Sequence, residues 1–232
     1  MTYAISDIHG LYDRYTAMLE KIGFSDNDVL YVIGDTIDRG RDGIKVLFDM
    51  MERPNVIALM GNHEYASLSI FKTIRGYTAE AYVMSVDKDY APHLRHWFAA
   101  YGAEPTLDAY ESLSDEQHGQ IINFILKMPP AAKIKVNGKT YILTHSGLPV
   151  GAKTDNLGLF PPHAFMTVEA DYRKKYFKDA YLVTGHTPTF KIGESFRGKI
   201  YTERNHIAID TGAVFGQPMG CICLDTHEVF YL

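Results

Sequence analysis

Asp7 and His9 stand two residues apart at the end of the short apolar run Thr2–Ser6. On a strand end such a pair can converge on one metal ion, although the spacing alone says little. The pattern then repeats. Asp35 follows the run Val29–Ile33, Asn62 and His63 follow Val56–Met60, His145 follows Thr140–Thr144, and His186 follows Tyr181–Thr184. Five separate apolar runs therefore end in a carboxylate, amide or imidazole, ligands suited to divalent cations of hard or borderline character. Around Asp35 the chain reads Gly34-Asp35-Thr36-Ile37-Asp38-Arg39-Gly40. Its five fixed positions would arise by chance in about one chain of this length in ten thousand.

The elements that must carry these residues are legible from periodicity. The apolar runs are rich in Val, Ile and Tyr and bounded by Gly, Asp or Asn, whereas Leu11–Ile22 and Gly43–Met51 space their apolar residues at three and four. Strands alternating with amphipathic helices predict βαβ units with right-handed crossovers. Ligands then collect at the carboxyl ends of the strands, where all five clusters lie.

From about residue 65 to 130 the texture is helical, with helices expected over Glu64–Ile74, Pro92–Tyr101 and Ser114–Lys127. The last has Ser114 and Gln117 placed for a capping box, and Pro129-Pro130 ends the segment. Strands resume with Ala132–Val136 and Thr140–Thr144 around Asn137-Gly138, a hairpin signal. Tyr181–Thr184, Ile207–Asp210, Gly220–Leu224 and Glu228–Leu232 complete a second set. The expected architecture is α/β: a four-layer αββα sandwich of two mixed sheets, one domain over 1–232 with a cap-like helical insertion at about 65–130.

At 232 residues, 46% hydrophobic and 22% charged, the chain can bury a core without staples. Its net charge of −5 argues against sequence-independent nucleic-acid binding. Cys221 and Cys223, two apart on one strand, exclude a disulfide framework and fit strand positions rather than metal ligands. No apolar run approaches membrane-spanning length and the N-terminus lacks a signal-peptide texture, so a cytoplasmic globular protein is expected.

Taken together, Asp7-x-His9, Gly34–Gly40, Gly61-Asn62-His63-Glu64, the His145-Ser146-Gly147 stretch and Gly185-His186-Thr187 resemble, in order, the calcineurin-like metallophosphoesterases, and among them the phosphoprotein phosphatase branch. The stretch from Trp97 to Thr106 is similar to a Trp…Thr segment of bacterial and phage Ser/Thr phosphatase-like members. The resemblance implies two divalent ions about 3.5–4 Å apart. Asp7, His9 and Asp35 would hold one, and Asp35, Asn62, His145 and His186 the other. Manganese is the first expectation; iron, zinc, cobalt and nickel also suit the mixed ligation. A metal-bridging hydroxide would attack the phosphorus of a phosphomonoester. His63 would be the general acid, Asp38 would fix its tautomer, and Arg39, with Asn62, would bind the phosphate. The implied partner is a phosphorylated substrate, a phosphoprotein or a small phosphoester, with no membrane involved.

Pro188 stands where nuclease-like and purple acid phosphatase members carry a further histidine, which favours monoester chemistry. Asp38 counts against symmetrical dinucleoside polyphosphate hydrolysis, the first rival activity, because that group usually lacks it. Other departures are Ser6 and Ser146 at customary glycine positions, and the loss of a Trp-x-Arg whose arginine makes a second phosphate contact. Over Met166–Arg173 only Arg173 offers a substitute, and a solvated helix over Asp171–Asp179 is the stronger expectation. A missing clamp also motivates the second rival, a metal-binding regulatory protein with vestigial activity. His93, His96, His118, His163, His206 and His227 are read as ordinary surface or core residues; Trp97, Tyr65 and Tyr101 could line the substrate cleft, although helical spacing more often predicts burial.

Overall fold

A computed structural model of the protein describes residues 1–73, 97 and 99–232. The first sheet is built as its periodicity dictates. Strands β1 (Thr2–Ile5), β2 (Val29–Ile33) and β3 (Val56–Leu59) are parallel, with Thr2 opposite Val29 and Leu30 opposite Val56. Helices α1 (Tyr12–Lys21) and α2 (Gly43–Glu52) make the crossovers. The chain returns at its far end to complete the sheet. Here β9 (Gly220–Cys223) runs antiparallel to β1, and β10 (Val229–Tyr231) antiparallel to β9, in the order β10-β9-β1-β2-β3.

The second sheet opens with the hairpin β4 (Ala131–Val136) and β5 (Lys139–Thr144). Asn137 and Gly138 take φ of 47° and 79°, the doubly positive turn that matches strand twist. Next come β6 (Ala180–Thr184), β7 (Tyr201–Glu203) and β8 (His206–Ala208), in the order β4-β5-β6-β8-β7. β7 is too short to show a period; the tight turn at Arg204 and Asn205, both at positive φ, folds it onto β8.

Side chains alternate across the strands, which decides the layers. Ala4, Ile33 and Leu59 face Tyr141, Leu143, Val183 and Ile207 between the sheets. Tyr3, Ile5, Leu30 and Val32 point outward and join one core with α1, α2 and the helices after β3. Those helices are α3 (Asn62–Thr73), α4 (Glu104–Glu111) and α5 (Asp115–Lys127), which contribute Leu68, Leu107 and Ile121 to that core. Ser114 and Gln117 form the expected capping box at α5. α4 was not expected; Pro105 in its first turn is the overlooked start signal. Trp97 and residues 99–101 are helical, and the rest of the expected Pro92–Tyr101 helix, with His93 and His96, lies outside the described residues. Cys221 and Cys223 are free and buried in the outer core of the first sheet.

The outer layer of the second sheet is thin. Ile142 and Leu182 are covered by Leu148, Phe165 and the single turn α6 (Ala164–Thr167). Pro149, Pro161 and Pro162 and three glycines break the intervening chain. The helix expected over Asp171–Asp179 does not form: the segment is a series of turns. The Asp171 carboxylate accepts the Arg173 backbone N–H at 3.0 Å, a local bond that competes with helix. Tyr65 is also exposed on α3 rather than buried. No helix among the described residues is long and apolar enough to cross a membrane.

Candidate metal centre

All nine sequence-predicted residues come together at the carboxyl ends of the strands. Six of them, Asp7, His9, Asp35, Asp38, Arg39 and His186, have φ between 45° and 69°. Left-handed backbone costs non-glycine residues about 1–2 kcal/mol each, so the surroundings must impose it. They do so by cross-linking the loops. Asp7 N–H donates to Gly34 O at 3.1 Å, His9 N–H to Asp35 O at 3.0 Å, and Gly10 N–H to Thr36 O at 2.8 Å.

Glu64, the last residue of Gly-Asn-His-Glu, ties the β2 and β3 loops together. Its buried carboxylate accepts the backbone N–H of Asp35 (2.9 Å), Thr36 (2.7 Å) and Gly61 (2.9 Å), and the Thr36 hydroxyl (2.6 Å). Gly61 is required beside it, because a Cβ there would collide with the Asp35 carboxylate. Sequence reasoning assigned Glu64 no role, although its place in the motif was the available signal.

The imidazoles are aimed by backbone. Carbonyls Ile37 O and Ile33 O each lie 2.9 Å from Nδ1 of His9 and His145, so each Nδ1–H donates there and Nε2 is the ring nitrogen turned to the centre. Asp35 Oδ2 lies 3.2 Å from His145 Nε2, 3.6 Å from His63 Nε2 and 3.9 Å from His9 Nε2. Asn62 Oδ1 is 2.9 Å from both His145 Nε2 and His186 Nδ1. The Asp7 carboxylate accepts the His186 backbone N–H and lies 4.0 Å from His9 Nε2. Two groups of donor atoms, each within 4.8 Å, result: His9, Asp35 and His63, and Asp35, His145 and His186. Asp35 is common to both.

The electrostatics fit cations. Burial, reinforced by Asp210, pushes the Asp7 carboxyl well above its ordinary value. Burial also pulls on Asp35, but His145 and His63 outweigh it and hold that carboxyl well below the usual range. The same contest leaves His145 at about 10, burial opposing and Asp35 prevailing. Burial lowers His9 to about 3 and His186 to about 4. Buried carboxylates and inward-turned imidazole nitrogens, gathered within a few ångströms, are a donor set for divalent ions. Asp210, which sequence reasoning missed, lies just past β8; burial raises it to about 6 and its Oδ1 accepts Gly212 N–H at 2.9 Å.

Beside the cluster, His63 Nδ1 sits 2.7 Å from Asp38 Oδ2. The Trp97 indole N–H donates to the same oxygen at 2.8 Å, and Asp38 N–H donates to Thr106 Oγ1 at 2.8 Å. The Trp97–Thr106 stretch thus holds Asp38 from both of its ends. Tyr101, half-buried in the same stretch, packs its ring 4.5 Å from that of His63. The Arg39 guanidinium reaches 2.9 Å from His9 Nε2 and 3.4 Å from His63 Nε2.

A cavity of about 390 Å³ opens over these groups, walled also by Glu169, Tyr172, Thr187 and Lys191. Arg173 is outside it. That side chain is 91% exposed and turned back on Asp171 at 3.1 Å, so it does not replace the missing arginine.

The chain matches the family model for calcineurin-like phosphoesterases over residues 2–198. It is 25% identical over 242 aligned residues to the asymmetrical bis(5'-nucleosyl)-tetraphosphatase PrpE of Oceanobacillus iheyensis, covering 93% of this chain and 85% of that protein. It is also 25% identical over 151 residues to serine/threonine-protein phosphatase 2 of Salmonella typhimurium, covering 63% of this chain and 58% of the other. A solved structure of a candidate diadenosine tetraphosphatase shares the fold over 100% of this chain and 92% of its own (TM-score 0.64, 14% identity). A serine/threonine phosphatase from Saccharomyces cerevisiae does so over 100% and 78% (TM-score 0.55, 14% identity). With the match covering most of its length, the chain belongs to the calcineurin-like phosphoesterase family.

Proposed function

We propose that the protein is a metal-dependent phosphoric monoester hydrolase. The observation that carries this reading is the His63–Asp38 contact at 2.7 Å, beside the ligand cluster and facing the cavity. Two divalent ions, held by Asp7, His9 and Asp35 and by Asp35, Asn62, His145 and His186, would supply Lewis acidity and an activated water at neutral pH. Arg39 binds the phosphoryl oxygens with its planar fork, aided by the Asn62 amide. In the protonated imidazole Asp38 accepts Nδ1–H, which leaves Nε2–H, 3.6 Å from Asp35 Oδ2 and 3.4 Å from Arg39, as the proton to deliver. His63 donates that proton to the departing oxygen. An alkoxide, as from phosphoserine or phosphothreonine, needs such a proton; the phosphate leaving group of an anhydride does not, because it departs already stabilised as an anion.

A second reading is hydrolysis of dinucleoside polyphosphates. It is favoured by the relative that spans 93% of this chain, which is itself a bis(5'-nucleosyl)-tetraphosphatase. A metal-reconstituted screen separates the two, comparing an aryl phosphate, a phosphopeptide, a dinucleoside tetraphosphate and an aryl phosphodiester. Turnover of the aryl phosphate and phosphopeptide is expected. Turnover confined to the dinucleoside tetraphosphate establishes the second reading, and none on any substrate removes both.

A further inference from the structure

We propose that Lys191 is a second phosphate-binding cation of this site, reaching the substrate's phosphoryl oxygens from the His186 side while Arg39 holds them from the His63 side. The segment that resemblance makes responsible for a second arginine delivers Glu169 and Tyr172 to the cavity and turns Arg173 away. The cavity wall opposite Arg39 thus carries a carboxylate where a second guanidinium is expected.

Lys191 stands in the same cavity wall, on the turn Thr189–Lys191. Its backbone is tied to the centre: Thr189 N–H donates to Asp210 O at 2.8 Å and Lys191 N–H to Pro188 O at 2.8 Å. Five residues earlier, His186 N–H is fixed on Asp7. Among the described residues Lys191 has no carboxylate within ion-pair distance. Lys191 shares the cavity with Asp35, Asn62 and His186. Arg39, by contrast, contacts His9 and His63. A lysine serves as a point charge on a flexible stem, so it does not need the helical support that positions an arginine fork.

The inference rests on the phosphatase reading for the identity of the anion, and its test does not need turnover. Inorganic phosphate is titrated calorimetrically into the metal-loaded full chain, with metal content measured for every variant. Lys191→Ala is expected to weaken the phosphate Kd about tenfold, Lys191→Arg to stay within about threefold of the parent, and Arg173→Ala to leave it unchanged. An unchanged Kd in Lys191→Ala at full metal content overturns the proposal. A parent protein that binds phosphate through Lys191 yet hydrolyses none of the four substrates overturns the phosphatase reading and leaves this one standing.

Discussion

His63 Nδ1 and Asp38 Oδ2 meet at 2.7 Å, with both side chains buried and the Trp97 N–H on the same carboxylate oxygen. The arrangement orients an imidazole without exposing its carboxylate to water.

Asp38→Asn places an amide where the imidazole needs an acceptor, so His63 loses its orientation. Turnover of alkyl phosphates should fall about a hundredfold, and that of an aryl phosphate with an activated leaving group much less. His63→Asn should show the same split with metal content retained. Equal losses on both esters, in a leaving-group series, would remove the general-acid role.

Asn62→Ala takes away an oxygen within 2.9 Å of both His145 and His186. This variant, and His186→Ala, should bind one metal ion fewer per chain by elemental analysis and lose nearly all turnover. Full activity in either sinks the ligand assignment.

Glu64→Ala would leave the buried N–H groups of Asp35, Thr36 and Gly61 without their acceptor. A loss of about 3–5 kcal/mol in urea-unfolding stability is expected, with Glu64→Gln intermediate. A variant as stable as the parent would show that the clamp contributes nothing.

His206 is buried and stacked on Tyr172, and burial lowers its pKa to about 4 from an ordinary 6.5. Above pH 6.5 the imidazole is neutral in both folded and unfolded chains. As pH falls from 6.5 towards 4 the unfolded chain takes up the proton first, so stability declines, and the decline levels off below pH 4. Over that window the parent should lose on the order of 3 kcal/mol more than His206→Gln. Parallel pH profiles for the two proteins would contradict this.

Element types and the ligand list were readable because each depends on local pattern. A run of Val and Ile ending in Asp, Asn or His announces a strand with a donor at its end, and β1, β2 and β3 match such runs almost residue for residue. The short strand β7 and the helix α4 escaped because three residues show no period and Pro105 was not read as a helix start. The expected helix at Asp171 gave way to turns, in which Asp171 accepts the Arg173 N–H and the Tyr176 hydroxyl oxygen accepts the Asp171 N–H.

By itself the sequence determined which chemistry was on hand: carboxylates, imidazoles and an arginine at strand ends, in the order of a known family. The tertiary structure decided which of these groups meet and what holds them. Trp97 and Thr106 reach Asp38 across 59 and 68 residues, and His186 reaches Asp7 across 179. It also turned Arg173 outward and set Lys191 in the cavity wall. Such choices depend on the register of paired strands and the direction of turns. Those are set by packing over the whole core, whereas composition and spacing report only on neighbours along the chain.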